Sequence, residues 1–165
     1  PEIAGKVGQL GALDEILVMC EEVDSVWPCL DLAHLHARTA GGLRSEEDFA
    51  EVIERVESRL GDEALQHLHV HLYPVEWGTG GEIGHKAFFD EKKRAEQRPL
   101  FPTVADTEDF YRPRYEEFIE LIVKKALNPV IICEAKDSQD LGALEMKEFY
   151  VELLSRENVD LNTPA

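Results

Sequence analysis

Apolar and polar positions alternate along this chain with two different periods, and the changes of period mark its elements. Over residues 13–23, Leu13, Ile16, Leu17 and Cys20 recur at helical spacing and predict an amphipathic helix. Residues 26–31 form a short apolar run ending in an acid, which reads as a buried strand. A glycine-containing loop over 39–44 leads to Ser45 and Asp48. Phe49, Val52, Ile53, Val56 and Leu60 follow, so the spacing predicts a capped amphipathic helix that stops at Gly61. Over residues 65–73 the period drops to two. His67, His69 and His71 alternate with Leu68, Val70 and Leu72, which in a strand puts imidazoles on one face and hydrocarbon on the other.

From 74 to about 113 no clean period survives, and Gly78, Gly80, Gly81, Gly84, Pro99, Pro102 and Pro113 punctuate the stretch. It reads as one long loop, a feature that in a compact domain is functional or partly disordered. Residues 114–127 return to the helical period with Phe118, Leu121 and Ile122 inward and Lys124 and Lys125 near the negative helix end. Residues 129–133 are an apolar strand running straight into Glu134, and 141–154 are a last helix before a polar tail over 155–165. At the start, residues 1–5 read as the end of a buried element carrying Glu2, followed by a loop.

Strand and helix therefore alternate about four times, with continuous apolar strands, which predicts an α/β fold with a parallel sheet covered by helices. Polar residues stand at the C-terminal ends of the strands: Glu2, Asp31, His69 with His71, and Glu134. In a (β/α)8 TIM barrel that end is the catalytic face. A whole barrel takes about 250 residues, so residues 1–154 are expected to form roughly half of one, with a doubly wound sheet as the alternative.

Composition narrows this picture. At 165 residues the chain suits one domain with one core, and its start at Pro1 suggests a piece of a longer chain. The balance of 34 acidic against 17 basic residues, a formal charge of −17, repels phosphate and argues against a nucleic-acid partner unless a local basic rim or bound cations intervene. The basic run of Lys92, Lys93, Arg94 and Arg98 reads either as such a rim or as a solvated helix. Cys20, Cys29 and Cys133 are widely spaced in apolar runs and fit buried thiols of a reducing compartment. No apolar window is long enough for a membrane span, and a soluble, cytoplasmic protein is expected.

The six histidines fall in three places: His34 with His36, then His67, His69 and His71, then His85. With the strand-end carboxylates they offer nitrogen and oxygen ligands suited to zinc, manganese or divalent iron. A carboxylate shared between two ions would build a multi-metal site for phosphate-ester hydrolysis. Each residue has a plainer reading beside that one. Asp31 suits a cap on the following loop, His67 a packed or surface ring, His71 an orienter of neighbouring ligands, and Trp77 a loop anchor. His36 and Arg38 suit hydrogen bonds to a neighbouring loop.

The segments Pro-Glu-Ile-Ala-Gly-Lys at 1–6, Cys-Leu-Asp-Leu-Ala-His-Leu-His-Ala-Arg at 29–38, Leu-His-Val-His at 68–71, Val-Glu-Trp at 75–77, Gly-Glu-Ile-Gly-His at 81–85 and Ile-Ile-Cys-Glu at 131–134 occur in an order that resembles the C-terminal half of the endonuclease IV family. These are apurinic/apyrimidinic endonucleases among the xylose-isomerase-like barrels. The resemblance implies that Glu2 is a bridging metal carboxylate and that Asp31 and His69 are ligands of one ion beside it, with His71 a further candidate. It makes Glu134 a metal ligand that also orients the attacking water, and it assigns His34, Glu82 and His85 to a third ion. The better-known members hold that acid and histidine two apart, whereas here they are three apart. Further histidine ligands and DNA-inserting residues of the family lie in the half not present. The implied reaction is cleavage of abasic DNA 5′ to the lesion, with zinc or manganese as cofactor. The rival expectations are a sugar isomerase or epimerase on the same barrel, favoured by the acidic charge, and a half barrel that self-associates through its open strand edges.

Overall fold

The computed structural model describes residues 1–88 and 112–160, with side chains of the last helix described as far as residue 156. The basic run at 92–98 lies outside the described residues. The elements in order are α1 (Leu13–Glu22), β1 (Cys29–Asp31), α2 (Leu32–Arg38), α3 (Glu46–Leu60), α4 (Asp62–Gln66), β2 (His69–His71), β3 (Val75–Gly78), β4 (Gly81–His85), α5 (Tyr115–Lys124), β5 (Val130–Ile132) and α6 (Gln139–Asp160).

The fold is mixed α/β. β1, β2 and β5 form a parallel sheet in that order, and a parallel bridge between Glu2 and Cys29 adds the chain start beside β1. Spatial neighbours thus follow sequence order, as helix-linked parallel strands require. Leu30 and Val70 on one face are fully buried among the helices, whereas Val130 and Ile132 on the other face of β5 are 56% and 38% exposed. One face carries the core; the other is open.

Local chemistry explains the boundaries. Ser45 caps α3 reciprocally with Asp48: its side chain accepts from the Asp48 N–H at 3.3 Å, and the Asp48 carboxylate accepts from the Ser45 N–H at 2.8 Å. Such a cap is worth about 1 kcal/mol. The apolar stripe of α3 then buries Phe49, Val52, Ile53 and Val56, with Phe49 against Phe118 of α5. Gly61, at φ 76°, ends the helix.

Three expectations are corrected. The histidine strand is shorter than 65–73, because α4 takes Leu65 and ends at His67, whose ring stacks on Trp27 at 4.9 Å. The stretch after Pro74 opens with an antiparallel hairpin, β3 and β4, whose apolar alternation is weak because it lies on α2 and carries polar side chains. The final helix runs past Leu154 into the stretch read as tail.

The hairpin is sewn to the chain start. The Glu82 N–H donates to the Gly5 carbonyl at 2.9 Å and the Val7 N–H to the Gly80 carbonyl at 3.0 Å. A Cβ on Gly81, which sits at φ 88°, would meet the Gly5 carbonyl oxygen at 2.2 Å, so only glycine allows this approach. Arg38 completes the seam, donating to the carbonyls of Ala4, Lys6 and Gln9 through one nitrogen and of Val7 through the other. Its expected role of holding a neighbouring loop is what the structure shows.

Candidate metal centre

Asp31 sits where β1 turns into α2 and is fully buried. Its two readings turn out to be compatible. Oδ1 caps α2 by accepting the His34 N–H at 2.7 Å, while Oδ2 accepts the Tyr73 hydroxyl proton at 2.8 Å and lies 3.0 Å from His34 Nδ1 and 3.6 Å from His71 Nδ1. Burial alone would raise its pKa, but His34, through its hydrogen bond and charge, and the neighbouring His71 ring outweigh it and hold the carboxyl at about 2.

His71 ends β2 and looks across the sheet into three carboxylates. Its Nδ1 lies 3.1 Å from Glu2 Oε1, 3.6 Å from Asp31 Oδ2 and 3.7 Å from Glu134 Oε2. Despite these neighbours the atom is buried and makes no well-formed hydrogen bond among the described residues. The Asp31 carboxylate, chiefly, raises the His71 pKa against the opposing effect of burial, with the charges of Glu134 and Glu2 adding to it. Buried polar atoms are normally paired. A ring nitrogen set among three carboxylates suits an imidazolium ion-paired to them, and equally a ligand that shares a cation with them.

A second group gathers on α2 and the hairpin. His34 Nδ1 lies 2.8 Å from the Ile3 carbonyl, and His85 Nδ1 lies 2.8 Å from the Glu134 carbonyl. A carbonyl only accepts, so Nδ1 of each ring carries a proton and Nε2 is the atom turned toward the hairpin carboxylate. Both Nε2 atoms face Glu82, at 3.3 Å from His34 and 3.7 Å from His85. A backbone carbonyl fixing the tautomer behind an imidazole is the usual support of a metal-binding histidine. Burial lowers the His34 pKa, but the hydrogen bond and charge of Asp31 override it and lift it to about 9.

The hairpin also resolves the unusual spacing of Glu82 and His85. Glu76 pairs with Gly84 and Trp77 with Glu82, so Ile83 is an extra residue in β4, and it is 66% exposed. Strict alternation would put residues three apart on opposite faces; one bulged residue restores them to the same face.

Tyr73 is the residue that sequence reasoning missed. Its hydroxyl, besides donating to Asp31, lies 3.2 Å from both His34 Nε2 and His85 Nε2, and so joins the two groups. Burial and the neighbouring Asp31 charge push its pKa up, keeping it a phenol. The signal was present: it lies two residues beyond His71, in register with the histidine face.

Of the proposed ligands, the structure brings together Asp31, His71 and Glu134, then Glu2, Asp31 and His34, and then His34, Glu82 and His85, with Glu2 also 3.1 Å from His71. His69, expected beside Asp31, is instead exposed and paired in register with Cys29; it is His71 that stands opposite Asp31. The reason is strand direction: the residue two further along β2 is the one nearer the C-terminal edge. Cys29 Sγ lies 3.5 Å from His71 Nε2, and burial together with the Glu2 and Asp31 charges pushes this thiol up to about 12. His36 is fully buried, accepts the Leu43 N–H at 3.2 Å and packs edge-on to Trp77, as its plainer reading requires. Trp77 is partly buried against the core.

The donor set fits a divalent ion that accepts imidazole and carboxylate ligands. Glu2, Asp31, His71 and Glu134 would hold one ion, and His34, Glu82 and His85 another.

The chain matches no known family model and no solved structure. It is similar to the uncharacterized protein MJ0133 of Methanocaldococcus jannaschii, with 41% identity over 85 residues. That stretch is 52% of this chain and 31% of the archaeal protein, so the chain spans about a third of its relative's length. Among the described residues no helix is long and apolar enough to cross a membrane.

Proposed function

We propose that this chain is the C-terminal half of a (β/α)8 barrel carrying part of a divalent-metal centre, from a phosphodiester hydrolase that cleaves DNA 5′ to abasic sites. The observation that carries the reading is the buried His71 Nδ1, set 3.1–3.7 Å from the carboxylates of Glu2, Asp31 and Glu134. Sequential parallel neighbours with their polar residues at one end support the barrel, as does the open face of β5, which a closed barrel would turn inward.

A divalent cation at this centre supplies Lewis acidity toward a phosphate ester. The protein's own residues set the rest of the chemistry. Glu134 keeps its carboxylate 39% exposed at the end of β5, where it can orient an attacking water and accept its proton. Asp31, fixed by its cap and by Tyr73, holds the two groups of ligands in one frame. His34 and His85 are held in orientation by backbone carbonyls at Nδ1, and binding a cation would take the Nε2 proton that Asp31 helps His34 to keep.

The formal charge of −17 favours a second reading, a sugar isomerase or epimerase in which one ion holds a hydroxy-ketone while carboxylates move protons. One assay separates them. The full-length protein loaded with zinc or manganese is expected to nick duplex DNA at an abasic site, and both a chelator and Glu134→Gln are expected to abolish the cut. Turnover of ketoses with no nicking would decide for the isomerase.

A further inference from the structure

The open face of the sheet carries a second tier of donors below the carboxylates. β1 and β2 pair Cys29 with His69 and Asp31 with His71, and alternate residues share a face, so these four side chains form two rows on one surface. The upper row belongs to the carboxylate centre. The lower row holds a thiol and an imidazole that the proposed hydrolysis does not use. His71 spans both rows, with Nδ1 toward the carboxylates and Nε2 toward the thiol.

We propose that Cys29, His69 and His71 form a separate, sulfur-bearing cation site that takes a thiol-seeking divalent ion such as zinc. One donor atom from each of the three lies within 4.8 Å of the others. The 3.5 Å between Cys29 Sγ and His71 Nε2 matches the separation of about 3.5 Å that tetrahedral zinc imposes on a sulfur and a nitrogen ligand, given bonds of roughly 2.3 and 2.0 Å. The His69 and His71 rings stand 5.3 Å apart at 66°, near enough to converge on one ion. Binding replaces the thiol proton with the metal, and three protein ligands leave a fourth position open toward the bare face of the sheet. The two sites differ in softness, since a thiolate selects zinc over magnesium, calcium or manganese, whereas the upper tier is built mainly of carboxylates. The site shares His71 with the proposed hydrolytic centre, and because a neutral imidazole has one lone pair, ions at both centres would take the remaining ring proton and leave an imidazolate bridge; the sulfur-bearing site requires no phosphodiester substrate.

Cobalt(II) titration of the purified chain tests it, because only a thiolate ligand gives sulfur-to-cobalt charge transfer in the near ultraviolet. The expected result is a band that saturates in the unmodified chain and persists in Glu134→Gln. It is expected to vanish in Cys29→Ala, and cobalt binding read at that band is expected to weaken roughly tenfold or more in His69→Ala. Because Glu134→Gln removes the proposed cleavage but not the band, failure of one reading is distinguishable from failure of the other. A band that survives in Cys29→Ala would come from Cys20 or Cys133 and would overturn the proposal, as would cobalt uptake with no band. Should Cys29→Ala fail to fold, the unmodified chain serves: zinc is expected to protect Cys29 from alkylation, read by peptide mass spectrometry, and equal labelling with and without zinc would overturn the site.

Discussion

The two ligand groups are built on different principles. In the sheet group, Asp31 and His71 stand at matched register positions of β1 and β2, while Glu2 bridges beside β1 and Glu134 follows β5. Parallel pairing sets the spacing of Asp31 and His71 directly. In the hairpin group, His34, Glu82 and His85 come from α2 and β4, and their convergence depends on two carbonyl hydrogen bonds, one bulge and the glycine seam to the chain start. Register is cooperative and hard to perturb locally, whereas a seam fails at single positions. The hairpin group should therefore be lost separately, and the Asp31–His71 pair of the sheet group only with the fold around it.

Asp31→Ala should break both groups at once and produce the largest effect. It removes the α2 cap and leaves His34, His71 and Tyr73 without their buried partner, a loss of about 3–5 kcal/mol. Thermal denaturation and metal content by plasma mass spectrometry should fall together. Gly81→Val should separate the groups. Its Cβ would collide with the Gly5 carbonyl at a backbone angle that disfavours side chains, costing about 1–3 kcal/mol, and bound metal should drop while the sheet-group ion stays. Retention of the full stoichiometry would show that the seam does not position the hairpin.

Tyr73→Phe tests the joint between them. Removing the proton donated to the buried Asp31 carboxylate should cost about 1–3 kcal/mol and weaken both ions equally; loss at one group alone would place Tyr73 in that group. The pH profile sharpens the same comparison. Asp31, held at about 2 against an ordinary 3.8, contributes stability that is complete above 3.8 and lost as pH falls through 2. His34, lifted to about 9 from 6.5, contributes stability that is complete below 6.5 and lost as pH rises through 9. These are one interaction seen from both ends. The metal-free chain should be most stable between those two ordinary values, and added zinc, which needs neutral imidazoles, should move the maximum upward. The smallest effect is expected from deleting Ile83. Removing the bulged residue leaves Glu82 and His85 two apart and still on one face, so metal stoichiometry should survive, with stability changed by well under about 1 kcal/mol as for most exposed positions.

How far the fold could be read in advance follows the same division. Helix α3 was legible because Ser45, Asp48 and Gly61 are local signals that act through the backbone beside them. The strand ends Asp31 and Glu134 were legible because each closes an apolar run. The choice of His71 over His69 opposite Asp31 was not, since it depends on register between strands nearly forty residues apart, which periodicity does not encode. The hairpin was hidden by its glycines and its bulge, and Tyr73 drew no reading of its own because its role as a hydroxyl between two imidazoles depends on residues distant in sequence.

Arg38 has a consequence for how natural variants of this sequence should be read. Its guanidinium gathers four carbonyls of the segment that carries Glu2 and Gly5, a task for a planar fork of donors that a lysine ammonium cannot copy. A drift from arginine to lysine would leave every proposed ligand in place and look conservative in any alignment. It would nevertheless loosen the chain start first, so divergence at this one position should foretell a centre that has let go of Glu2 while still displaying all of its histidines.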